Sequence, residues 1–284
     1  MRDLSGLTGQ IAASILKGPQ PQVFCHYTSK ESAEKIMATR TLWATCLTEQ
    51  SDKTELCHGI TLVEEVVMKL LNKERSVFVQ DVLSGLCDYM RSRRFMLFIT
   101  CFCEDEASSF HLQRYGSVRF RFNRQSSGPL PLVPKHSKFD RRFNPVNYCE
   151  NDQRQAIEGF LRGASILLVK HSVGSEEHDP RGWMASTPRR DIGQCLLTII
   201  ASFKRHEFRD DREWRLILSP ALSLSTTAPS LIDEDFNVSI KNQPKRHVPL
   251  VREAPFPPQE GSIWPPASGT LSPYDDVVHL TDPI

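Results

Sequence analysis

The 284-residue sequence lacks several features that identify common classes of protein. Its longest apolar run, residues 95–103, is too short to cross a bilayer, which takes about 20 apolar residues. Its first residues lack the continuous apolar core of a signal peptide. The 35 lysines and arginines nearly balance 34 aspartates and glutamates, so no overall charge dictates a partner. The sequence therefore predicts a soluble, cytoplasmic protein with no membrane partner.

The eight cysteines form no C-x-x-C pair and match no zinc-ligand spacing. They are also too few for a disulfide scaffold, and most lie in apolar segments. We therefore interpret them as buried, reduced thiols, which agrees with a cytoplasmic location. Cys57-His58 and Cys101-x-Cys103 are the pairs that a metal ion could bring together, but nothing in their spacing fixes a coordination geometry. The sequence therefore predicts no metal site.

The sequence also has no G-x-G-x-x-G and no G-x-x-x-x-G-K-[ST], the motifs of Rossmann folds and P-loops. Strands and helices are predicted without the regular order of a parallel βαβ sheet. The predicted strands are 23–26, 41–45, 95–103, 117–122 and 214–218, and the predicted helices are 30–38, 60–71, 77–90, 152–168 and 191–203. Residues 123–150 are predicted to form a long loop. The pattern predicts an α+β domain on a mainly antiparallel sheet.

Composition suggests three regions along the chain. Residues 1–20 are predicted to form an N-terminal tail or a short helix, and residues 21–255 a single α+β domain. Ten of the 19 prolines fall in residues 221–284, which predicts a proline-rich C-terminal extension over 256–284. Because proline is confined to sheet edges and turns, short edge strands can still precede this extension.

The segment F-C-H-Y-T-S-K-E, residues 24–31, places a histidine where a short strand gives way to a helix. Thr28 and Glu31 have the spacing of a capping box, so the helix is predicted to begin close to His26. Side chains at such junctions often face clefts, because loops on a rigid scaffold carry function. His26 is therefore a candidate site residue, and the alternative is a core histidine bonded to a backbone carbonyl.

The segment F-R-D-D-R-E-W-R-L-I-L-S, residues 208–219, predicts a strand with a carboxylate at its start. Alternation places Trp214 on the core face and Glu213 on the opposite face, between Arg212 and Arg215. Neighbouring arginines hold a glutamate ionised, and a fixed anion is suited to stabilise developing positive charge. Glu213 is therefore a candidate catalytic residue, or alternatively one member of a structural ion-pair network.

The segment S-S-F-H-L-Q-R-Y-G-S-V-R-F-R-F, residues 108–122, carries a tyrosine and a glycine between a predicted short helix and a strand. Tyr115 can present its ring to a planar ligand, or it can pack the corner between the helix and the strand. Gly116 allows another backbone segment to approach closely. Arg114 is a candidate clamp for an anion.

Residues 91–142 contain eleven lysines and arginines against four acidic residues. This local excess favours a polyanion, either the pyrophosphate of a dinucleotide or a nucleic-acid backbone. A solvated basic loop would give the same count. The segment is therefore the candidate contact for a nucleic-acid or protein partner.

Four groups of residues together resemble an uncharacterised bacterial domain family. They are F-C-H-Y-T-S with the following L-W-A-T, then S-D-K-T-E, then I-T-C-F-C-E-D-E with R-Y-G, and finally R-D-D-R-E-W-R. Members of that family open with H-Y-T-S and L-W-x-[ST], continue with C-F-S and W-x-x-Y-G, and close on E-x-E-W-R. The likeness covers residues 23–251. That family in turn resembles the ADP-ribosyltransferases of the His-Tyr-Glu type, which implies a split β-sandwich with helical insertions that holds NAD.

The resemblance implies a catalytic triad of His26, Tyr115 and Glu213. His26 would hydrogen-bond a ribose hydroxyl of NAD, and Glu213 would hold the 2′-hydroxyl of the nicotinamide ribose. Tyr115 would stack on the nicotinamide, with Tyr27 as its rival for that role. Cleavage of the nicotinamide–ribose bond leaves an oxocarbenium-like sugar, which needs an anion beneath it and little acid–base chemistry.

The resemblance also implies supporting residues, and the sequence departs from the family at several of them. Thr28 and Arg114 would assist in binding NAD, and Asp211 would orient the acceptor. Asp211 replaces the first glutamate of E-x-E-W-R, and because its side chain is shorter, the identity of the acceptor stays open. Leu112 stands where the family has tryptophan before Y-G, and S-D-K-T-E replaces an N-D-P segment, which weakens any role for Asp52 or Glu55.

The implied activity is that of a bacterial NAD-dependent ADP-ribosyltransferase that needs no metal. It would transfer ADP-ribose to a nucleic-acid or protein acceptor, as a toxin or an anti-phage effector. One alternative is an NAD glycohydrolase with the same pocket, and another is a non-catalytic module that binds nucleic acid or nucleotides through residues 91–142. A cysteine hydrolase using Cys25 or Cys149 is least favoured, because Cys25 and His26 point to opposite faces of a strand.

Overall fold

A computed structural model describes residues 2–15, 21–39, 42–50, 52–92, 97–104, 111, 114–123, 132–134, 139–172, 183–220, 237–240, 243–252 and 277–280. Within these residues the chain forms six α-helices and ten β-strands, and the strands build an open, largely antiparallel sheet. The predicted α+β class is therefore confirmed.

The helices differ in length and lie in two parts of the chain. They are α1 (Arg2–Ile15), α2 (Lys30–Thr39), α3 (Lys53–Leu71), α4 (Val77–Arg91), α5 (Glu150–Ser172) and α6 (Trp183–Ile200). Short 3₁₀ helices cover Leu47–Glu49 and His206–Asp211. Among the described residues, no helix combines the length and the hydropathy needed to span a membrane.

The strands pair in an order that differs from their order in the sequence. They are β1 (Val23–Thr28), β2 (Leu42–Cys46), β3 (Phe98–Glu104), β4 (Val118–Asn123), β5 (Leu132–Pro134), β6 (Phe139–Pro145), β7 (Glu213–Pro220), β8 (Asn237–Ile240), β9 (Gln243–Arg252) and β10 (Val277–Leu280). One path through the sheet runs β10-β4-β1-β3-β2-β9-β5, while β7 joins β3 to β6 and β8 pairs with β9. The β10–β4 pairing is parallel.

Each face of the sheet carries an apolar core. On one face helices α1 and α3 to α6 pack against Ile99 and Ile217 of the central strands. On the other face the aromatic residues of β1, β3, β4, β6 and β7 pack together with α2. The rings of Phe24 in β1 and Phe143 in β6 have centroids 4.7 Å apart, although two strands separate β1 from β6. A flat sheet would hold them about 14 Å apart, so the sheet curls strongly.

Some predicted elements differ from the observed ones. The predicted loop 123–150 is wrong over residues 132–134 and 139–145, because β5 pairs with β9 and β6 pairs with β7 along its whole length. The predicted tail or short helix at the N-terminus contains α1, which packs against α5 and α6 through residues that include the buried Ala12 and Ile15. Helix α6 begins at Trp183, so Asp191 lies inside the helix and does not cap it.

The predicted capping box at the start of α2 is wrong by one residue. Thr28 is the last residue of β1, and the hydroxyl of Ser29 accepts a hydrogen bond from the backbone N–H of Ser32 at 3.2 Å. Glu31 instead pairs with Lys35 one turn later, at 2.7 Å. The helix therefore starts where it was predicted, with a serine cap in place of the threonine.

The feature that positions the site is a split along one edge of β3. Strand β1 pairs with this edge at Cys103 and Glu104, whereas β2 pairs with it at Phe98 and Ile99. Strand β7 pairs with the opposite edge from Phe98 to Cys103. In the described part of the chain, the middle of β3 therefore has a strand partner on one edge and an opening between β1 and β2 on the other.

Candidate functional site

The split in the sheet opens into a cavity of about 460 Å³. Its lining includes all three residues of the predicted triad: His26 from β1, Tyr115 from the turn before β4, and Glu213 from the start of β7. The size lies within the range of small-molecule sites. Chain positions separated by up to 187 residues thus meet around one space.

His26 binds the edge of β3 that has no described strand partner at its middle. Its Nδ1–H donates a hydrogen bond to the backbone oxygen of Cys101 at 2.9 Å, because a carbonyl can only accept. Burial lowers the pKa of His26, and this effect exceeds the opposing effect of the bond to Cys101. The ring is therefore neutral near pH 7, and its Nε2 carries a lone pair that can accept a hydrogen bond. His26 thus bonds a backbone carbonyl, as the alternative in the sequence analysis has it, and it also lines the cavity.

Glu213 is buried with a cation on each carboxylate oxygen. Its Oε1 accepts from Arg215 Nε at 2.6 Å, and its Oε2 accepts from Lys204 Nζ at 2.7 Å. Burial alone would raise the pKa of Glu213, but the charges of Arg215 and Lys204 outweigh it and lower the pKa from 4.5 to about 2. The predicted second partner, Arg212, is exposed, so Lys204 supplies the second cation.

Lys204 is the centre of the charged floor of the cavity. Its Nζ lies 2.8 Å from Asp211 Oδ2, 2.7 Å from Glu213 Oε2 and 3.2 Å from Glu55 Oε1. Burial favours the neutral amine, but these carboxylates raise the pKa of Lys204, so it remains charged. Arg215 also donates to Glu55 Oε2 at 2.6 Å. Two buried cations, Lys204 and Arg215, therefore form ion pairs with three carboxylates. Through Glu55, these ion pairs connect helix α3 to strand β7.

Tyr115 is held by a stack of rings and by Asp211. Its hydroxyl donates to Asp211 Oδ2 at 2.7 Å, and burial raises the pKa of the phenol. The ring of His111 stacks between Tyr27 and Tyr115, with centroid distances of 5.4 Å and 6.0 Å. His111 Nε2–H donates to the backbone oxygen of Asp211 at 3.0 Å. The rival tyrosines of the sequence analysis therefore belong to one stack, and both line the cavity.

Gly116 fixes the position of Tyr115 relative to β1. Its φ of 127° lies in the region that favours glycine, and a Cβ at this residue would stand 2.2 Å from the backbone oxygen of Thr28. The predicted close backbone approach is therefore present, and its partner is the end of β1. This contact brings the Tyr115 turn beside the strand that carries His26.

The remaining predicted residues occupy different places. Arg114 lines the cavity, leaves 38% of its side chain exposed, and lies 3.5 Å from Asp211 Oδ1. Asp211 is fully buried and is not among the described residues that line the cavity. Thr28 likewise does not contribute to that lining, and its carbonyl instead contacts Gly116. The structure thus places Asp211 beneath Tyr115 and Lys204, where it orders the site.

The sequence analysis missed several residues of the site. Lys204 follows α6 in an ordinary basic stretch, and no local signal marks it as buried. Trp43 and Gln50 line the cavity from β2 and from the turn after it, and neither was predicted to be a site residue. The hydroxyl of Tyr148 accepts from the backbone N–H of Glu213 at 2.9 Å, which anchors the start of β7. The place of each of these residues in the site depends on contacts with residues distant in the sequence.

Two cysteines of β3, Cys101 and Cys103, line the cavity. Burial raises the pKa of Cys101 and of Cys103, so both thiols stay protonated, and Glu213 adds to the effect. Among the described residues, no group of three histidines, cysteines or carboxylates could hold a metal ion. Cys57 is exposed, and the neighbouring His58 donates from Nε2 to Gln153 Oε1 at 2.9 Å.

The predicted basic segment 91–142 is spread over several elements. Arg91 ends α4 and pairs with Glu64 at 2.6 Å, while other arginines lie on β4 and β6. Residues 93–96, 105–110, 112–113, 124–131 and 135–138 lie outside the described part of the chain. The described arginines of this segment therefore belong to separate helices and strands.

Comparison with known proteins gives no relative on which to base a function. The chain matches no protein family, no curated protein and no solved structure. The case for a function therefore rests on the motifs and on the geometry of the cavity.

Proposed function

We propose that the protein is an NAD-dependent ADP-ribosyltransferase with a split β-sandwich, whose catalytic residues are His26, Tyr115 and Glu213. The observation that carries the proposal is that these three side chains line one cavity at the split between β1 and β2. The sequence motifs that resemble the His-Tyr-Glu transferases contain the same three residues. A toxin or an anti-phage effector is the biological role that this activity would serve.

The proposal assigns the anion to Glu213. Cleavage of the nicotinamide–ribose bond develops positive charge on the sugar, and a preorganised carboxylate stabilises that charge. With a pKa of about 2, Glu213 is ionised at every physiological pH. Lys204 and Arg215 hold the two oxygens of Glu213 in place, so the carboxylate needs little reorganisation when positive charge develops on the sugar.

The other two residues bind the substrate. The Nε2 of neutral His26 accepts a hydrogen bond from a ribose hydroxyl, and Tyr115 offers its ring to the nicotinamide. The bond from Tyr115 to Asp211 holds the ring in one orientation. Arg114 stands partly exposed at the cavity, where it is suited to contact the pyrophosphate.

One observation favours hydrolysis of NAD as a second candidate. Asp211 was expected to orient the acceptor, yet its carboxylate is buried and contacts Tyr115, Lys204 and Arg114. A site without an acceptor-orienting carboxylate can pass the ribosyl cation to water. This candidate uses the same triad and the same first step.

The test uses purified protein, NAD labelled in its adenylate part, and candidate acceptors of protein and nucleic acid. Nicotinamide release with transfer of label is expected for the wild type, and loss of both for Glu213→Gln and His26→Ala. Glu207→Gln is the control, because Glu207 is exposed near the same strand. Thermal unfolding of each variant separates loss of activity from loss of the fold. Release without transfer indicates the glycohydrolase, and no release by the wild type contradicts both candidates.

A further inference from the structure

Two cysteines on neighbouring strands face each other beside the cavity. Cys25 of β1 lies directly opposite Cys103 of β3 in the antiparallel pairing of these two strands. Directly opposite residues point to the same face of a sheet, and both cysteines pack with Tyr27 in one small apolar cluster. Both are present as thiols. The two sulfur atoms are therefore close neighbours although 77 residues separate them in the chain.

The spacing of the two residues suits a disulfide bond. The backbone oxygen of Cys101 faces β1, where it accepts from His26, so the N–H and C=O of Cys103, two residues further along, face β1 as well. Cys25 and Cys103 are therefore a hydrogen-bonded pair of antiparallel strands, in which the Cα atoms are about 5.5 Å apart. Disulfides join cysteines whose Cα atoms are about 4.4–6.8 Å apart. The bond can thus form with little movement of either strand.

The two thiols differ in their access to the cavity. Cys103 lines the cavity, although only 6% of the residue is exposed, whereas Cys25 is fully buried and is not among the described residues of the lining. A small oxidant in the cavity therefore meets Cys103 first. Cys101 also lines the cavity, but its Cα lies about 7 Å along the strand from that of Cys103, at the limit of what a disulfide spans. Cys25 is thus the thiol best placed to react with an oxidised Cys103.

We propose that Cys103 and Cys25 form a reversible oxidation site for a hydroperoxide, with Cys25 as the resolving thiol. The thiolate of Cys103 attacks one oxygen of hydrogen peroxide, the O–O bond breaks, and a sulfenic acid and hydroxide form. The thiolate of Cys25 then attacks the sulfenic sulfur, the S–S bond forms, and a second hydroxide leaves. Each hydroxide takes up the proton lost by one thiol. Two thiols and one peroxide therefore give one disulfide and two molecules of water.

The consequence of this pairing is that oxidation beside the site stays reversible. Cys103 lies opposite Glu213 of β7, so further oxidation of its sulfenic acid to a sulfinic acid would place a second, permanent anion beside that carboxylate. The disulfide stops the oxidation at a neutral stage that a thiol reductant reverses. Burial raises the pKa of Cys103, and the charges of Glu213 and Asp211 add to the effect, so the first step is expected to be slow.

The test exposes the full chain to excess hydrogen peroxide for several hours and maps every cysteine by mass spectrometry of an unreduced digest, before and after treatment with dithiothreitol. The wild type is expected to give a peptide that joins Cys25 to Cys103 and that dithiothreitol separates. In Cys25→Ala, Cys103 is expected to gain two or three oxygen atoms that dithiothreitol does not remove. In Cys103→Ala, Cys25 is expected to remain a thiol. The control is Cys46, which is buried opposite Phe98 and is expected to remain a thiol throughout.

The wild-type digest decides the proposal whether or not the variants fold. Oxidation of Cys103 to a sulfinic acid in the wild type, or a disulfide between Cys103 and Cys101, would overturn the role of Cys25. A Cys103 that stays a thiol while the exposed Cys57 is fully oxidised would overturn the site itself. The experiment follows only the chemistry of sulfur, so its outcome is independent of whether the protein cleaves NAD.

Discussion

Replacement of Lys204 by methionine tests whether the buried ions at the cavity floor form one coupled network. Methionine keeps most of the volume of the lysine stem and removes the charge. Asp211, Glu213 and Glu55 then lose the amine that contacts all three within 3.2 Å. Breaking a buried ion pair from one side costs about 3–5 kcal/mol, because an uncompensated charge stays behind.

The pKa of Glu213 gives the stabilisation that Arg215, the larger contributor, and Lys204 supply together after the opposing effect of burial. Holding that pKa at about 2 rather than 4.5 corresponds to about 3 kcal/mol of stability at pH 7. The sign follows from the direction: a carboxyl whose pKa is lower in the folded state stabilises above pH 4.5 and loses this contribution as the pH falls towards 2. At pH 3 about 1.4 kcal/mol of this stability remains. Lys204 itself keeps its charge in both states throughout this window.

The assay is urea unfolding followed by tryptophan fluorescence between pH 7 and pH 3. The cost of Lys204→Met is expected to be about 3 kcal/mol or more at pH 7 and to narrow towards pH 3. Lys69→Met is the matched control, because Lys69 pairs with Glu158 at 3.0 Å with 57% of its own side chain exposed, and little change is expected. A cost under about 1 kcal/mol, or the same cost at both pH values, would refute the coupled network.

Three further predictions concern the backbone and the tyrosine. Gly116→Ala is expected to lower the free energy of unfolding by more than about 2 kcal/mol, because the new Cβ meets the Thr28 carbonyl at a positive φ. The control is Gly159→Ala, in open space on α5, which should raise the free energy of unfolding by about 0.5–1 kcal/mol. Arg212→Gly should raise the free energy of unfolding by up to about 1 kcal/mol, because φ is 40° at this residue and glycine removes the strain. A lower free energy of unfolding in chemical denaturation would contradict this prediction. Tyr115→Phe should cost about 1.5–3 kcal/mol through the lost bond to its carboxylate partner, and an unchanged unfolding midpoint would contradict this value.

The parts of the fold that follow from local patterns could be predicted from the sequence. The strand, helix, strand order from residue 23 to residue 46 was predicted because a β-favouring run, a capped helix and a second apolar run follow one another. Alternation correctly placed Trp214 and Glu213 on opposite faces of β7. The need for Gly116 was also predictable, because a glycine beside a functional turn is a local signal.

The parts that depend on distant pairing could not be predicted in the same way. The sequence F-D-R-R-F-N-P of β6 has no simple alternation, and it becomes a strand because β7 offers it a complete edge. Lys204 is buried because three carboxylates from α3, the 3₁₀ helix His206–Asp211 and β7 converge on it. The sequence shows the lysine but not this convergence. Trp43 faces the cavity because β1 and β2 diverge, which follows from the pairing of β3.

The split along β3 has a consequence for amide hydrogen exchange. In antiparallel strands the N–H and C=O of one residue point to the same edge. The oxygens of Leu97 and Cys101 accept from Leu47 and His26, so alternate residues of β3 face the edge that β1 and β2 share. The Cys101 N–H therefore points into the opening. In deuterium oxide the Cys101 amide, at the centre of a buried strand, should exchange faster than the amides at the ends of that strand. A ligand that fills the cavity should slow the exchange of the Cys101 amide.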